Sequence, residues 1–317
     1  MEKRKNQGQE LVEEFITGLY RWYPFRPGKS GLYVGTDDRI SSMLKEYKKL
    51  DLRICSLEEV GNFNKQFDYI ILQPDTVEKS RDLKELLELC HKNLAESGGL
   101  LFSVNNRLGI RYFCGDRDPY TDRIFDGLED YIRAYGNPNN LFEGRCYDGA
   151  QVAGVLEEIG FLGRRRYSVF PDLENPTHIF ADGYIPNENL RSRVFAQYNY
   201  PQSVFLEEEN LWQGMIENGI FHAMANAFLF ECKKEKANMS DALQVTNSLD
   251  RGPEKAMITV IHEGDKVTKE PAYIEGYNQI EALTANTEEL KARGIPVVSG
   301  TLENHIYTMP LIHAKTG

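Results

Sequence analysis

Short apolar runs alternate with helix-period stretches from Gly31 onward, and this alternation sets the first expectation for the fold. Gly31-Leu32-Tyr33-Val34-Gly35 reads as a buried strand leading into a helix over Asp38 to Leu50. Leu52-Arg53-Ile54-Cys55 reads as a second strand. Phe67-Asp68-Tyr69-Ile70-Ile71-Leu72 follows with nearly continuous apolar character, the pattern of a parallel strand covered on both faces. A helix from about Val77 to Leu94 carries Leu83, Leu86, Leu87, Cys90 and Leu94 on one stripe, and Ser97-Gly98-Gly99 stops it before the strand Leu100 to Val104. Upstream, Leu11, Phe15, Leu19 and Tyr20 share one face of a packing helix that ends at Trp22-Tyr23-Pro24-Phe25. Strands alternating with helices predict an α/β class: a Rossmann-like, mostly parallel sheet with helices on both faces.

Asn105 to Tyr147 is rich in Gly, Asp, Asn and Tyr and is too long for a simple connection, so it reads as a substrate-side insertion. Periodicity returns with a helix from Asp148 to Ile159 stopped by Gly160, a strand Tyr167 to Phe170, a helical stretch near Asn187 to Val194 and a strand Ala225 to Glu231. Three segments follow: an α/β domain over residues 1–232, a polar linker over 233–256 and a small α+β unit over 257–317. In that last unit Met257 to His262 and Lys266 to Glu270 flank Glu263-Gly264-Asp265 as a hairpin. A helix from Gly276 to Arg293 and short strands at Val297-Val298 and His305 to Met309 complete it.

Composition narrows the chemistry. At 41% hydrophobic and 27% charged residues, with no apolar run of the ~18 residues a membrane span needs, the chain reads as soluble and without a membrane span. The charged start Met1 to Lys5 leads into no apolar segment, so no secretory signal is read and a cytoplasmic location is expected. A formal charge of -11 opposes phosphate backbones, which argues against a nucleic-acid partner, and Arg164-Arg165-Arg166 reads as a solvated strand entrance. The five cysteines are widely spaced and no HExxH, GxSxG or GxxxxGK[ST] pattern occurs, so zinc hydrolysis, serine hydrolysis and P-loop chemistry lose their support.

The order of strand, Gly-bearing turn, helix, strand, Phe67 to Leu72, helix, Ser97-Gly98-Gly99 and Leu100 to Asn105 resembles the class I S-adenosylmethionine-dependent methyltransferases. More narrowly, Trp22 to Phe25, Asn105 to Gly115 and Phe125-Asp126-Gly127-Leu128-Glu129-Asp130-Tyr131 are similar to a bacterial methyltransferase family associated with surface-polysaccharide synthesis, over roughly residues 10 to 232. The resemblance implies S-adenosylmethionine as cofactor, with Gly35, Thr36 and Asp37 in the first turn, Glu58 after the second strand for the ribose, and Gln73 beside the adenine. It also implies a small-molecule acceptor, a sugar or glycan precursor, met by Asn105, Arg111 and Tyr112. Asp116, Asp118 and Tyr120 are then the candidates for the catalytic base.

Departures from that pattern point to a degenerate site. Only Gly35 stands where relatives have two or three glycines, Gln73-Pro74-Asp75 replaces a glycine-bearing segment, and Pro119 and Tyr120 stand where close relatives carry Asp-His. Leu50 to Phe67 leaves space for one strand, so the third strand of the family is read as lost. The cofactor is therefore expected to bind weakly or not at all. Two other functions compete: a noncatalytic scaffold on the same fold, and a metal-dependent glycosyltransferase using Asp116 and Asp118. The last unit is similar to part of a kinase-like N-lobe, with Lys269 at phosphates, Glu281 as its partner and Met309-Pro310 as hinge. Lacking any catalytic Asp, it is expected to be inactive and to pack on the first domain or on a second copy, giving a homodimer.

Overall fold

The computed structural model describes residues 14–137, 139–186, 190–236 and 239–313. Among them the strands are β1 (Ser30–Val34), β2 (Asp51–Cys55), β3 (Phe67–Leu72), β4 (Leu94–Asn105), β5 (Gly163–Phe170), β6 (His178–Ala181), β7 (Ala227–Lys233), β8 (Ala242–Asn247), β9 (Met257–His262), β10 (Lys266–Pro271), β11 (Thr301–Glu303) and β12 (Ile306–Pro310). They form one sheet in the order β11-β12-β10-β9-β8-β6-β5-β7-β4-β3-β1-β2. The four strands β2, β1, β3 and β4 run parallel, and every pairing from β4 to β11 is antiparallel. The α/β class read from the sequence is the one observed. β2 is the edge strand beyond β1, in keeping with a lost third strand.

Alternation along the parallel strands sends neighbouring side chains to opposite faces. Leu32, Val34, Ile70, Leu72, Leu100 and Phe102 join one buried cluster, and Tyr33, Ile71 and Leu101 join the other. The first face is covered by the helices α3 (Leu83–Asn93) and α4 (Gly149–Ile159), after α1 (Asp38–Ser42) and the short α2 (Thr76–Lys79) in chain order. Asp82 caps α3, and Asp148 with Gln151 closes a reciprocal cap on α4, which Gly160 ends at φ +97. The second face is covered by α1, by Ile16 to Phe25, by residues of the last strands, including Val245, Ile258 and Val260, and by Tyr273 after β10.

Several boundaries differ from the sequence reading. The helix expected over Val77 to Leu94 breaks at Ser80, whose N–H caps α2, and β4 starts at Leu94, so Gly98 and Gly99 lie inside a strand. A register shift between Phe67 and Tyr69 absorbs the extra residues. The stretch 233–256 read as a linker contains β8, paired with β6 on one side and β9 on the other, so one sheet runs across it. The Val297-Val298 strand is not formed, whereas the hairpin of β9 and β10 and the helix α5 (Tyr277–Ala292) are. Arg164 to Arg166 lie within β5, and Arg165 pairs with Glu263 at 2.9 Å. Leu11 and Asn187 lie outside the described residues; Leu190–Ser192 forms a single helical turn. No described helix is long and apolar enough to cross a membrane.

Arg21 ties the chain's beginning to its last strands. Only 3% exposed, it donates from Nη1 to the carbonyl of Ala272 at 2.7 Å and from Nε to Thr17 Oγ1 at 2.8 Å. Its guanidinium lies 4.6 Å from the ring centre of Tyr47 and 4.5 Å from that of Tyr273.

Candidate functional site

The carboxyl ends of β1, β3 and β4 bring Gly35, Gln73 and Asn105 to one edge of the sheet, where an α/β fold binds its ligands. Gln73 fills the first turn. Its Oε1 accepts the N–H groups of Thr36 at 2.8 Å and Asp37 at 2.9 Å, and its Nε2 donates to Asp75 Oδ1 at 2.8 Å. Gly35, at φ +153, leaves room for this side chain. Asp37 does not face the turn as an unpaired carboxylate. It caps α1 through the N–H groups of Arg39 and Ile40 and holds the Arg39 guanidinium. Burial pushes the Asp37 carboxyl up, but the bonds and charge of Arg39 outweigh it and hold it below the usual range.

Glu58 follows β2 in an exposed position on the helical turn Leu57–Asn62, while its neighbour Glu59 closes the cap of that turn by accepting the Ser56 N–H at 2.9 Å. The exposed ribose candidate accepts from its own N–H and from the Ser56 hydroxyl, which hold its carboxyl below the usual range, and the adenine candidate Gln73 is committed to the protein's own backbone.

The insertion packs against the carboxyl end of β4 and against α2, the Tyr147 N–H reaching the Asn105 carbonyl at 3.2 Å and the Tyr120 hydroxyl reaching Glu78 at 2.7 Å. Its candidate catalytic groups are engaged in hydrogen bonds to the protein itself. Asp116 is fully buried and accepts from Arg111 Nε at 2.9 Å, from the Arg117 N–H at 3.0 Å, from the Asn199 N–H at 2.9 Å and from the Tyr200 N–H at 2.8 Å. Asp118 accepts from the N–H groups of Tyr120 and Thr121 and from Tyr131 Oη at 2.6 Å; burial raises its carboxyl above the usual range despite those donors. The two carboxylates therefore serve separate loops, and among the described residues no cluster of three metal-binding side chains forms. Arg111 and Tyr112 are also buried, Arg111 bonding the Gln197 carbonyl and Tyr112 standing 3.7 Å from Cys146 Sγ.

Glu78, on α2, is the residue the sequence reading passed over. Fully buried, it accepts from the Asn105 N–H, from Asn105 Nδ2 at 3.2 Å and from Tyr120 Oη at 2.7 Å. Burial pushes its carboxyl up to about 7 against these donors. Tyr120 is pushed upward in turn, by burial first and by the Glu78 charge second, so it donates a proton in a bond and does not release one. A lone Glu in a helix carries no motif; only the strand ends that bury it mark it out. In the last unit, Glu281 on α5 faces His305, in the turn between β11 and β12, at 3.7 Å.

Two clefts lie away from the first turn. One of about 490 Å³ is bounded by Phe15, His178, Arg193 and Asn247, and one of about 480 Å³ opens in the insertion beside Asp126.

No family model matches the chain, and no curated protein matches it. Among solved structures it is similar to a methyltransferase from Thermotoga maritima described as a possible histamine N-methyltransferase, at 11% identity over 74% of this chain and 95% of that one, with a TM-score of 0.39. A second, an S-adenosylmethionine-dependent methyltransferase from Archaeoglobus fulgidus, matches at 14% identity over 70% of this chain and 94% of that one, TM-score 0.43. A third is phosphoethanolamine N-methyltransferase 2 of Haemonchus contortus in complex with S-adenosyl-L-methionine, at 12% identity over 73% and 52% of the two chains, TM-score 0.38.

Proposed function

We propose that the chain is a methyltransferase-type protein of sugar or glycan-precursor chemistry whose S-adenosylmethionine site is degenerate, so that the cofactor binds weakly or not at all. The observation that carries this reading is Gln73 in the first turn, where its Oε1 takes the two N–H groups that a bound cofactor would have to approach. The residues present do not fit the cofactor without displacing that side chain. Giving up two such bonds, at ~0.5–1.5 kcal/mol each, costs about 1–3 kcal/mol, roughly a fivefold to 150-fold loss of affinity.

The closed turn and the structural engagement of Asp116 and Asp118 favour a protein that binds its sugar ligand without ordinary methyl transfer. The same engagement weighs against a metal-dependent glycosyltransferase, because Asp116 has its acceptor positions taken by four donors. Titration calorimetry with S-adenosylmethionine tests the reading: no saturation at micromolar cofactor is expected for the natural chain, and tighter binding for Gln73→Ala. A low-micromolar Kd for the unaltered protein overturns it.

A further inference from the structure

The string Phe125-Asp126-Gly127 holds a carboxylate that the cofactor reading does not use. Asp126 is 2% exposed; its Oδ1 lies 3.9 Å from Arg133 Nε, and its Oδ2 has no hydrogen-bond partner among the described residues. A buried acceptor left without a donor is costly, and proteins keep one chiefly where a ligand or water completes it. Asp126 lines the cleft of about 480 Å³, a volume in the range of small-molecule sites.

Three guanidiniums surround the same cleft, those of Arg117, Arg123 and Arg133, against the carboxylates of Asp122 and Asp126. Arg117 lies 3.8 Å from Asp122 and over the Tyr200 ring, and Arg133 is held by Glu129 at 2.6 Å. Arg123 is exposed and makes no ion pair among the described residues. Opposite stands Phe205, 65% exposed, whose ring lies so near the backbone of Gly115 that a Cβ there would meet it at 2.5 Å. Gly115, at φ +101, lets the aromatic ring lie against the chain as a flat apolar wall.

We propose that this cleft binds a phosphorylated sugar. A sugar hydroxyl supplies the donor that Asp126 Oδ2 lacks, the phosphate meets Arg123 with Arg117, and the C–H face of the ring rests on Phe205. The inference deepens the proposed sugar-precursor chemistry and rests on it for the ligand class. It is independent of the cofactor, so it is tested without S-adenosylmethionine and a failure of one reading is separable from a failure of the other.

The test is calorimetric titration of the full chain with the 1-phosphates of glucose, galactose and mannose, with the free sugars, with inorganic phosphate and with glutamate. At least one hexose 1-phosphate should bind ten times more tightly than either its free sugar or phosphate. Asp126→Asn should weaken the sugar phosphate at least tenfold and leave phosphate unchanged, with no fall in Tm; Arg123→Gln should weaken both. Absence of saturable hexose-phosphate binding, an affinity in both variants unchanged from that of the natural chain, or glutamate binding more tightly than the sugar phosphates overturns the proposal. Should Asp126→Asn not fold, the exposed Arg123→Gln decides alone.

Discussion

Gly35 and Gln73 are fitted to each other: a Cβ built on Gly35 would stand 2.5 Å from the Cβ of Gln73 and 2.5 Å from its Oε1. The single glycine of the first turn thus makes room for a side chain from the next strand but one. Gly35→Ala is expected to destabilise by about 2 kcal/mol or more, through overpacking and through a φ that side-chain-bearing residues rarely adopt. Combining it with Gln73→Gly, which removes both the Cβ and the amide that the new methyl would meet, should recover the overpacking part. Urea unfolding of the two single variants and the double gives the coupling; strict additivity would show that the two residues do not meet.

Glu78 makes stability depend on pH in an unusual direction. Its folded carboxyl is raised to about 7, so between the usual ~4.5 and ~7 the folded chain holds a proton that the unfolded chain has released. Its contribution is fully present below about 4.5 and is lost as pH rises through about 7, a change on the order of 3 kcal/mol. Glu208, also pushed up to about 7 by burial, acts in the same sense. Glu78→Gln should remove its share, leaving the variant more stable than the natural chain at pH 8 and similar at pH 5. Thermal melts across that interval check the sign; an unchanged slope in the variant contradicts it.

For Asp116, a structural role and a catalytic one predict opposite outcomes. Removing its carboxylate leaves buried Arg111 without its ion partner at 2.9 Å and strands two loop N–H groups, those of Asn199 and Tyr200. Asp116→Ala should therefore cost about 3–5 kcal/mol or prevent folding. A variant with an unchanged denaturation midpoint would return Asp116 to the list of candidate bases.

Arg21 should count for more than its charge. Arg21→Leu keeps apolar bulk between Tyr47 and Tyr273 but loses the bonds to Ala272 and Thr17, and is expected to lose about 2–4 kcal/mol in urea unfolding. Because one sheet carries both parts, a single transition should remain. Two separate transitions in the natural chain would show that the last strands fold apart.

The parallel core was legible in the sequence because strands covered on both faces leave continuous apolar runs, as Phe67 to Leu72 does. β8 was not legible. Among its residues Ala242-Leu243-Gln244-Val245-Thr246-Asn247 only Ala242, Val245 and Asn247 are buried, without a period of two, and so short and weakly patterned a run between polar stretches reads as a linker. What orders it is pairing with β6 and β9, and β6 is four residues long. At the candidate site the glycine deficit was visible, but not that Gln73 reaches back across the sheet edge to use the two N–H groups, since nothing local couples positions 36 residues apart. Asp37 shows the reverse: its role as a cap was written in Asp37-Asp38-Arg39, and the resemblance to a cofactor turn obscured it.

Among the described residues the sheet ends in β2 on one side and β11 on the other, two margins each able to accept a strand from another molecule. They are guarded unequally. β11 has three residues and offers few unpaired groups, whereas β2 presents five, with Asp51 and Arg53 exposed along it and Ile54 at 53% exposure between charge and solvent. Asp51 and Arg53 cancel in charge, so self-assembly through β2 is restrained mainly by the chain's net charge of -11, and strand accretion at that margin should grow as salt screens it.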